Sequence, residues 1–475
     1  MALRSGIETI FKSTGIPPSW LDKRPKLPSR NWLIFLSVTS SVVGLYIYDR
    51  RQCKHIRQSY IDKVKHLAEQ PVDPFDAPRK VTVYAARWPG DEDYDQSMRY
   101  FRKYVKVCLS QTSPPPLFFY IRLITIFFLV PHQPILVAAA IDYDMVPGKR
   151  HGDIAKRIAD DIRVKRRSDL GLDPETDLTK SLPTYKSPAE RRRYELEGGI
   201  IIIGRPTFKE FMSGLQKGWT NDNLEKVDQD EVLARVLEND THFDEPEDHH
   251  GDSSSDDTPS SFRLSHQQLF SPRQSSSVIP PLPPLLLVPF INYIGIPQVP
   301  LMIWGFFNQR HKVRSGAEAG YRVVMKESQP IEVPEKIYDL ASSSNSTIDD
   351  APTTNFGDLD FDKGVESYYK KSLDSLHEDT EKARKKYYED LAAKLDTARQ
   401  LARGTREPTK EELENPPPTE VELRAERLKK ERRWRDDLEG WDIIKPSSNV
   451  SWDEGCRGAL RIFITPNNEE DSQAL

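Results

Sequence analysis

A chain of 475 residues, 37% hydrophobic and 30% charged, can bury one sizeable core but is too polar to be packed throughout. Its 68 basic and 73 acidic side chains leave a formal net charge of -5, which excludes the global basic field of a nucleic-acid binder. The three cysteines, Cys53, Cys108 and Cys456, are scattered too widely for a C-x-x-C pair, a zinc site or a disulfide framework.

At the amino end, Leu3, Ile7, Ile10 and Phe11 share one helical face beside Arg4 and Lys12, with Glu8 as the one acid. That amphipathic, basic pattern suits a mitochondrial targeting element. Residues 1–30 are read as a segment of their own.

The run from Asn31, Trp32, Leu33, Ile34 and Phe35 to Gly44, Leu45, Tyr46, Ile47 and Tyr48 carries no charge and stops at Asp49-Arg50-Arg51. Its roughly 18 residues span about 27 Å as a helix, close to the hydrocarbon thickness of a bilayer. Trp32 stands at one end and Tyr46 and Tyr48 at the other, where amphipathic rings favour the headgroup level. Residues 31–48 are therefore predicted to cross a membrane once, and 49–78 to form a linker. A buried core helix is a poorer reading of so long an uncharged run, and a signal peptide would need a small-residue cleavage site. The charge count leaves orientation tied: Lys23, Arg24, Lys26 and Arg30 precede the span, and Arg50, Arg51, Lys54 and Arg57 follow it.

From 79 to 227 the pattern alternates. Lys80 to Ala85 reads as a strand, followed by a turn at Pro89-Gly90 and a polar helix from about Glu92. A second strand is expected over Ile135 to Asp142, then a basic helix from Gly152 to Arg167. Gly198 to Gly204 gives the third strand and Pro206 to Gln216 the third helix. Three such units argue for an α/β domain built on a mostly parallel sheet.

Within this stretch, 107–133 does not fit. Its apolar run from Leu117 to Val130 is too short for a second span, contains Arg122 and is bracketed by Pro114-Pro115-Pro116 and Pro131. Val107-Cys108 can be encoded by an intron donor, and Gln133 by a codon ending in the acceptor. The segment is read as a retained intron, with a buried hairpin or re-entrant loop as the structural alternatives.

Gly90 and Gly204 sit at strand-to-helix turns, where phosphates often bind, but neither turn spells a dinucleotide or P-loop motif. Lys209-Glu210 is expected to be a solvated pair. Asp142 and Asp144 alternate at a strand end with no third ligand nearby, so neither a metal nor a cofactor is expected.

Residues 228–277 turn acidic and then serine-rich, and are read as a disordered insertion in which His249 and His250 belong to a solvated loop. The domain resumes over 278–330, with a strand at Leu285 to Pro289. The apolar cluster Ile303 to Phe307 is left open between core, membrane and partner contact. After a linker over 331–362, residues 363–475 read as a helical C-terminal region. There Val365, Tyr369, Leu373, Leu376, Ala383, Tyr387, Leu391, Leu395, Ala398 and Ala402 keep helical spacing up to Gly404. Thr409 with Glu412, and Thr419 with Glu422, have capping-box spacing.

Several stretches together resemble one family: Leu27 to Phe35, Tyr48 to Arg51, Pro78 to Tyr84, Ala138 to Asp144 and Gly204 to Glu210. These are similar, in order and over most of the chain, to the fungal fifty-four-kilodalton Tim subunits of the mitochondrial inner-membrane carrier translocase. Residues 107–133 depart from that pattern. The resemblance implies a matrix-side amino terminus and a large domain in the intermembrane space, which resolves the tied charge count. It implies as partners the channel-forming and accessory translocase subunits, the small intermembrane-space Tim chaperones and their carrier precursors. It carries over no catalytic residue. The rival readings are a membrane-tethered α/β enzyme handling a nucleotide or lipid phosphate, and an assembly factor for other inner-membrane complexes.

Overall fold

The computed structural model describes residues 29–68, 79–105, 141–172, 185–220, 229–238, 243, 279–333 and 357–466. The first element is α1, Arg30–Ala68, a single helix of 39 residues. Its apolar first half is exposed, whereas Cys53, Ile61 and Val64 of its second half are buried in the domain core. The expected linker over 49–78 is thus corrected for residues 49–68, which continue the helix. The physical reason is that charge ends the apolar run without ending the helix: no Gly or Pro stands between Leu45 and Ala68. The predicted span is therefore joined to the domain by one continuous helix.

Six strands form one sheet in the order β2-β1-β3-β4-β6-β5. They are β1 (Lys80–Ala85), β2 (Asp142–Pro147), β3 (Gly199–Ile203), β4 (Leu285–Val288), β5 (Ser328–Pro330) and β6 (Arg461–Phe463). Neighbours are parallel except β5, which runs antiparallel to β6 through Gln329 and Ile462. The strand beside β1 begins at Asp142, near the end of the run expected to form it; residues 106–140, including the suspected intron, lie outside the described residues. The unbroken Gly199-Ile200-Ile201-Ile202-Ile203 suits β3, which is covered on both faces.

Alternate strand residues divide between two cores. Val81, Val83, Ile201, Ile203, Leu286 and Val288 face one, with α1, helix α2 (Gln96–Tyr100), the π-helical turn Phe101–Val105 and helix α8 (Gln309–Met325). Ile202, Leu285 and Ile462 face the other, with α3 (Asp153–Asp169) and α5 (Gly204–Thr220). The remaining helices are α4 (Pro188–Glu197), α6 (Gln229–Glu238), α7 (Val299–Phe307), α9 (Glu366–Ala402), α10 (Lys410–Glu414) and α11 (Glu420–Ile444).

Three further boundaries differ from expectation. Helix α6 falls inside the stretch read as a disordered insertion, and apart from Phe243 the rest of 239–277 lies outside the described residues, His249 and His250 included. Ile331 and Leu359, at the two ends of the expected linker, are buried. The C-terminal region is not wholly helical, because β6 inserts between β4 and β5 and completes the sheet. The long amphipathic helix is α9, and it packs in cis: Tyr387, Leu391, Leu395 and Ala398 bury against Leu423 of α11.

Candidate functional site

In open α/β sheets, ligands bind outside the carboxyl ends of the strands where the order reverses, here between β1 and β3. Gly204 closes β3 at that point with φ +78°, a left-handed conformation that favours glycine. Thr207 then bridges the two strands: its hydroxyl accepts from the Ala86 amide at 2.9 Å and donates to the Ile203 carbonyl at 2.6 Å.

The crevice is filled by the protein itself. Glu366, at the start of α9, meets Arg205 and Lys209 at 2.8 Å each, and all three side chains are buried. Lys209 also donates to the Lys445 carbonyl at 3.0 Å, at the end of α11. Burial holds this lysine below its ordinary value, while its bond to Glu366 opposes that shift. Trp88 packs edge-on against Tyr369 and Phe290, with ring centroids 5.3 and 5.4 Å apart. A β-carbon on Gly440 of α11 would stand 2.2 Å from the His151 carbonyl oxygen, so α11 lies directly on the turn after β2.

The expectation of a solvated Lys209-Glu210 pair is overturned: Lys209 is 1% and Glu210 0% exposed. Lys209 is buried because Glu366 of α9 and the end of α11 return over it, and Glu210 because it turns onto the start of α3. Glu210 accepts from the Ile154 amide at 3.1 Å, and burial pushes its carboxyl up to about 8 against that bond. His151 beside it is buried and pushed down to about 4, first by desolvation and then by Arg87. Above this seal an open groove is lined by charges of both signs, Arg87, Arg150, Asp379, Lys386, Arg433 and Asp437 among them. Asp142 and Asp144 lie on β2, and Asp144 pairs with Lys80 at 3.2 Å. No group of three metal-ligating side chains occurs among the described residues.

The side of the candidate span has the opposite character. Asn31, Trp32, Leu33, Ile34, Phe35, Leu45, Ile47 and Tyr48 are all exposed along α1, and no atom lies within 4 Å of a β-carbon placed on Gly44. Tyr46 is half-buried because it stacks on Phe306 of α7, with centroids 5.6 Å apart. Helix α7, with Trp304 69% exposed and no residue buried, adds a second apolar surface to the end of the candidate span. This places the Ile303 to Phe307 cluster outside the core. Asp49 joins the two elements, accepting from the Gln309 and Arg310 amides at 3.2 and 3.1 Å and so capping the start of α8.

Residues 8–114 and 112–438 match the family described as Inner membrane protein import complex subunit Tim54. The chain belongs to the Tim54 family. It is 34% identical to the mitochondrial import inner membrane translocase subunit TIM54 of Cryptococcus neoformans, over 99% of this chain and 96% of that protein. Shorter matches reach the homologous subunits of Aspergillus oryzae, 34% identical over 41% of this chain and 38% of that one, and of Schizosaccharomyces pombe, 30% identical over 44% and 49%. The chain is thus a non-catalytic subunit of a mitochondrial inner-membrane import translocase with one candidate membrane helix among the described residues. Members of the Tim54 family need no chemistry in the crevice, and here its polar groups are used in structure.

Sequence reading missed Glu366 as the partner of Lys209, because the two are 157 positions apart and nothing local links them. It also left α7 undecided: the apolar Val299 to Phe307 run was the available signal, but nothing local places it against the end of the run at 31–48.

Proposed function

We propose that this subunit is held in the inner membrane by residues 31–48, with its amino terminus in the matrix and the domain in the intermembrane space. There it docks small Tim chaperones carrying polytopic carrier precursors, beside the channel-forming and accessory subunits of the translocase. The observation that carries this reading is an exposed apolar anchor running without a break into a domain whose strand-end crevice is plugged by its own C-terminal helices. Such a body can position a client near the bilayer at high effective concentration, and a rigid tether keeps that position defined.

The test is depletion of the protein followed by import into isolated mitochondria. Insertion of presequence-less carriers is expected to fall while import of a presequence-bearing matrix protein continues. An equal loss of both, or of neither, would contradict docking of carrier cargo.

A further inference from the structure

Where α1 leaves the proposed anchor, the domain gathers positive charge that no ion pair answers among the described residues. Arg50 and Arg57 come from α1, Lys103 from the π-helical turn and Lys312 from α8. Arg50 donates to the side-chain oxygen of Gln309 and lies over the Tyr46 and Phe306 rings, at 4.8 and 5.8 Å from their centroids. Arg57 is buried, and its Nε and Nη1 have no hydrogen-bond partner among the described residues. The Lys312 ammonium reaches α7, 3.9 Å from where a β-carbon on Gly305 would stand. Desolvation holds Lys103 below its ordinary value, and Arg50, Lys312 and Arg57 push it further the same way, so the four cations share one locality. None of them forms an ion pair among the described residues. Asp49, the nearest carboxylate in sequence, is committed to the α8 amides, and residues 106–140, which follow Lys103, contain neither Asp nor Glu.

Like charges collected at one junction, with Arg57 buried among them, call for an anion, and the surroundings say which. Arg50 lies about 3 Å along the helix beyond Tyr48, at the headgroup level set by the aromatic end of the anchor. Arg57 stands higher, but arginine side chains on a helix lean back toward its amino end. On the membrane side of the cluster lies exposed, apolar α7, continuous with the anchor through the Tyr46–Phe306 stack. A soluble phosphate would have no use for that surface, and an acidic protein segment would have to displace bilayer from it.

We propose that Lys103 and Lys312, backed by the field of Arg50 and Arg57, bind the phosphate of an anionic phospholipid whose acyl chains lie along α7 and the end of the anchor. This rests on the reading that residues 31–48 cross the membrane. The site fixes the height and tilt of the domain over the bilayer, through basic groups at the phosphates and apolar groups just below them.

The test uses the full chain in nanodiscs of phosphatidylcholine and reads Trp304 fluorescence as the difference between wild type and Trp304→Phe. A minor fraction of either phosphatidylglycerol or phosphatidylcholine carries brominated acyl chains, which quench only at contact. Brominated phosphatidylglycerol is expected to quench several-fold more than equally dilute brominated phosphatidylcholine, and the excess is expected to vanish in Lys103→Gln/Lys312→Gln. Equal quenching by the two lipids, or an excess that survives the double variant, would overturn the proposal. So would removal of the excess by inorganic phosphate at concentrations too low to act by screening, which would reassign the site to a soluble anion. Discs made wholly of brominated phosphatidylcholine separate the underlying reading. Loss of Trp32 quenching there, read against Trp32→Phe, would refute the anchor, whereas quenched Trp32 with unquenched Trp304 would refute only the lipid site.

Discussion

The two ends of this domain treat exposed chemistry in opposite ways. At the carboxyl ends of the strands, where α/β enzymes open a crevice, the chain brings Glu366 and the end of α11 back onto Arg205 and Lys209, and fills the space with Trp88, Phe290 and Tyr369. At the anchor end it does the reverse, leaving apolar α7 uncovered and four cations without carboxylate partners among the described residues. A fold that commonly hosts catalysis has here been closed at its usual site, and in the proposed arrangement the surfaces left unsatisfied face the membrane. The comparison teaches that the working parts of this subunit are surfaces, with the crevice serving as their structural support.

The sharpest way to break the comparison is to open the seal. Glu366→Ala would leave Arg205 and Lys209 buried without their counter-ion, and a loss of about 3–5 kcal/mol is expected. Denaturant unfolding of the detergent-solubilised chain measures it, and a loss below about 1 kcal/mol would mean that the triad is solvated.

The membrane end is broken by Val43→Arg, which places a charge near the bilayer centre at a cost of about 2.5–3.5 kcal/mol on insertion scales. The variant is expected to become extractable by alkaline carbonate. Continued embedding would show that α7 or another segment suffices as an anchor.

The pH dependence of the seal gives a smaller effect with a defined sign. Glu210 is raised from 4.5 to about 8, so its contribution is fully present below pH 4.5 and is lost as pH rises toward 8. Glu210→Gln lacks that slope, and the variant is expected to gain stability over wild type across this window, by on the order of 2–4 kcal/mol at most. His151 acts at the other side: lowered from 6.5 to about 4, its contribution is present above 6.5 and is lost as pH falls toward 4. Thermal transitions recorded between these limits read both slopes, and a pH-independent difference between Glu210→Gln and wild type would contradict the burial argument.

Much of this architecture was legible in the chain. The uncharged run at 31–48, the β-branched Gly199 to Ile203 strand and the helical stripe from Tyr369 to Ala398 announce themselves through length and period, which local sequence encodes directly. What stayed hidden depends on pairing at a distance. Arg461-Ile462-Phe463 is too short to read as a strand until β4 and β5 stand on either side of it. Glu366 looks like one more helix-surface acid until α9 folds over Lys209. For the same reason the long apolar helix was legible but the cation cluster was not, since its members come from three elements.

A prediction with no effect on the folded comparison concerns residues 107–133, which we continue to read as a retained intron. The family match falls in two stretches, 8–114 and 112–438, which together run through this segment, so the messenger and not the match decides the reading. The spliced messenger is expected to join Lys106 to Pro134, and a messenger that retains the segment would end the idea.

The central claim, that this subunit works through its membrane-side surface and not through the strand-end crevice, is tested most directly by carrier insertion in isolated mitochondria whose only copy bears one of two changes. Trp304→Ser with Phe306→Ser removes the apolar face of α7, and Arg87→Gln with Asp437→Asn removes charge from the groove over the seal. With a presequence-bearing matrix protein as the control, the first variant is expected to lose carrier insertion several-fold while the second stays close to normal. Abolition of insertion by the groove change in a fully folded chain, with the α7 variant unaffected, would contradict the account.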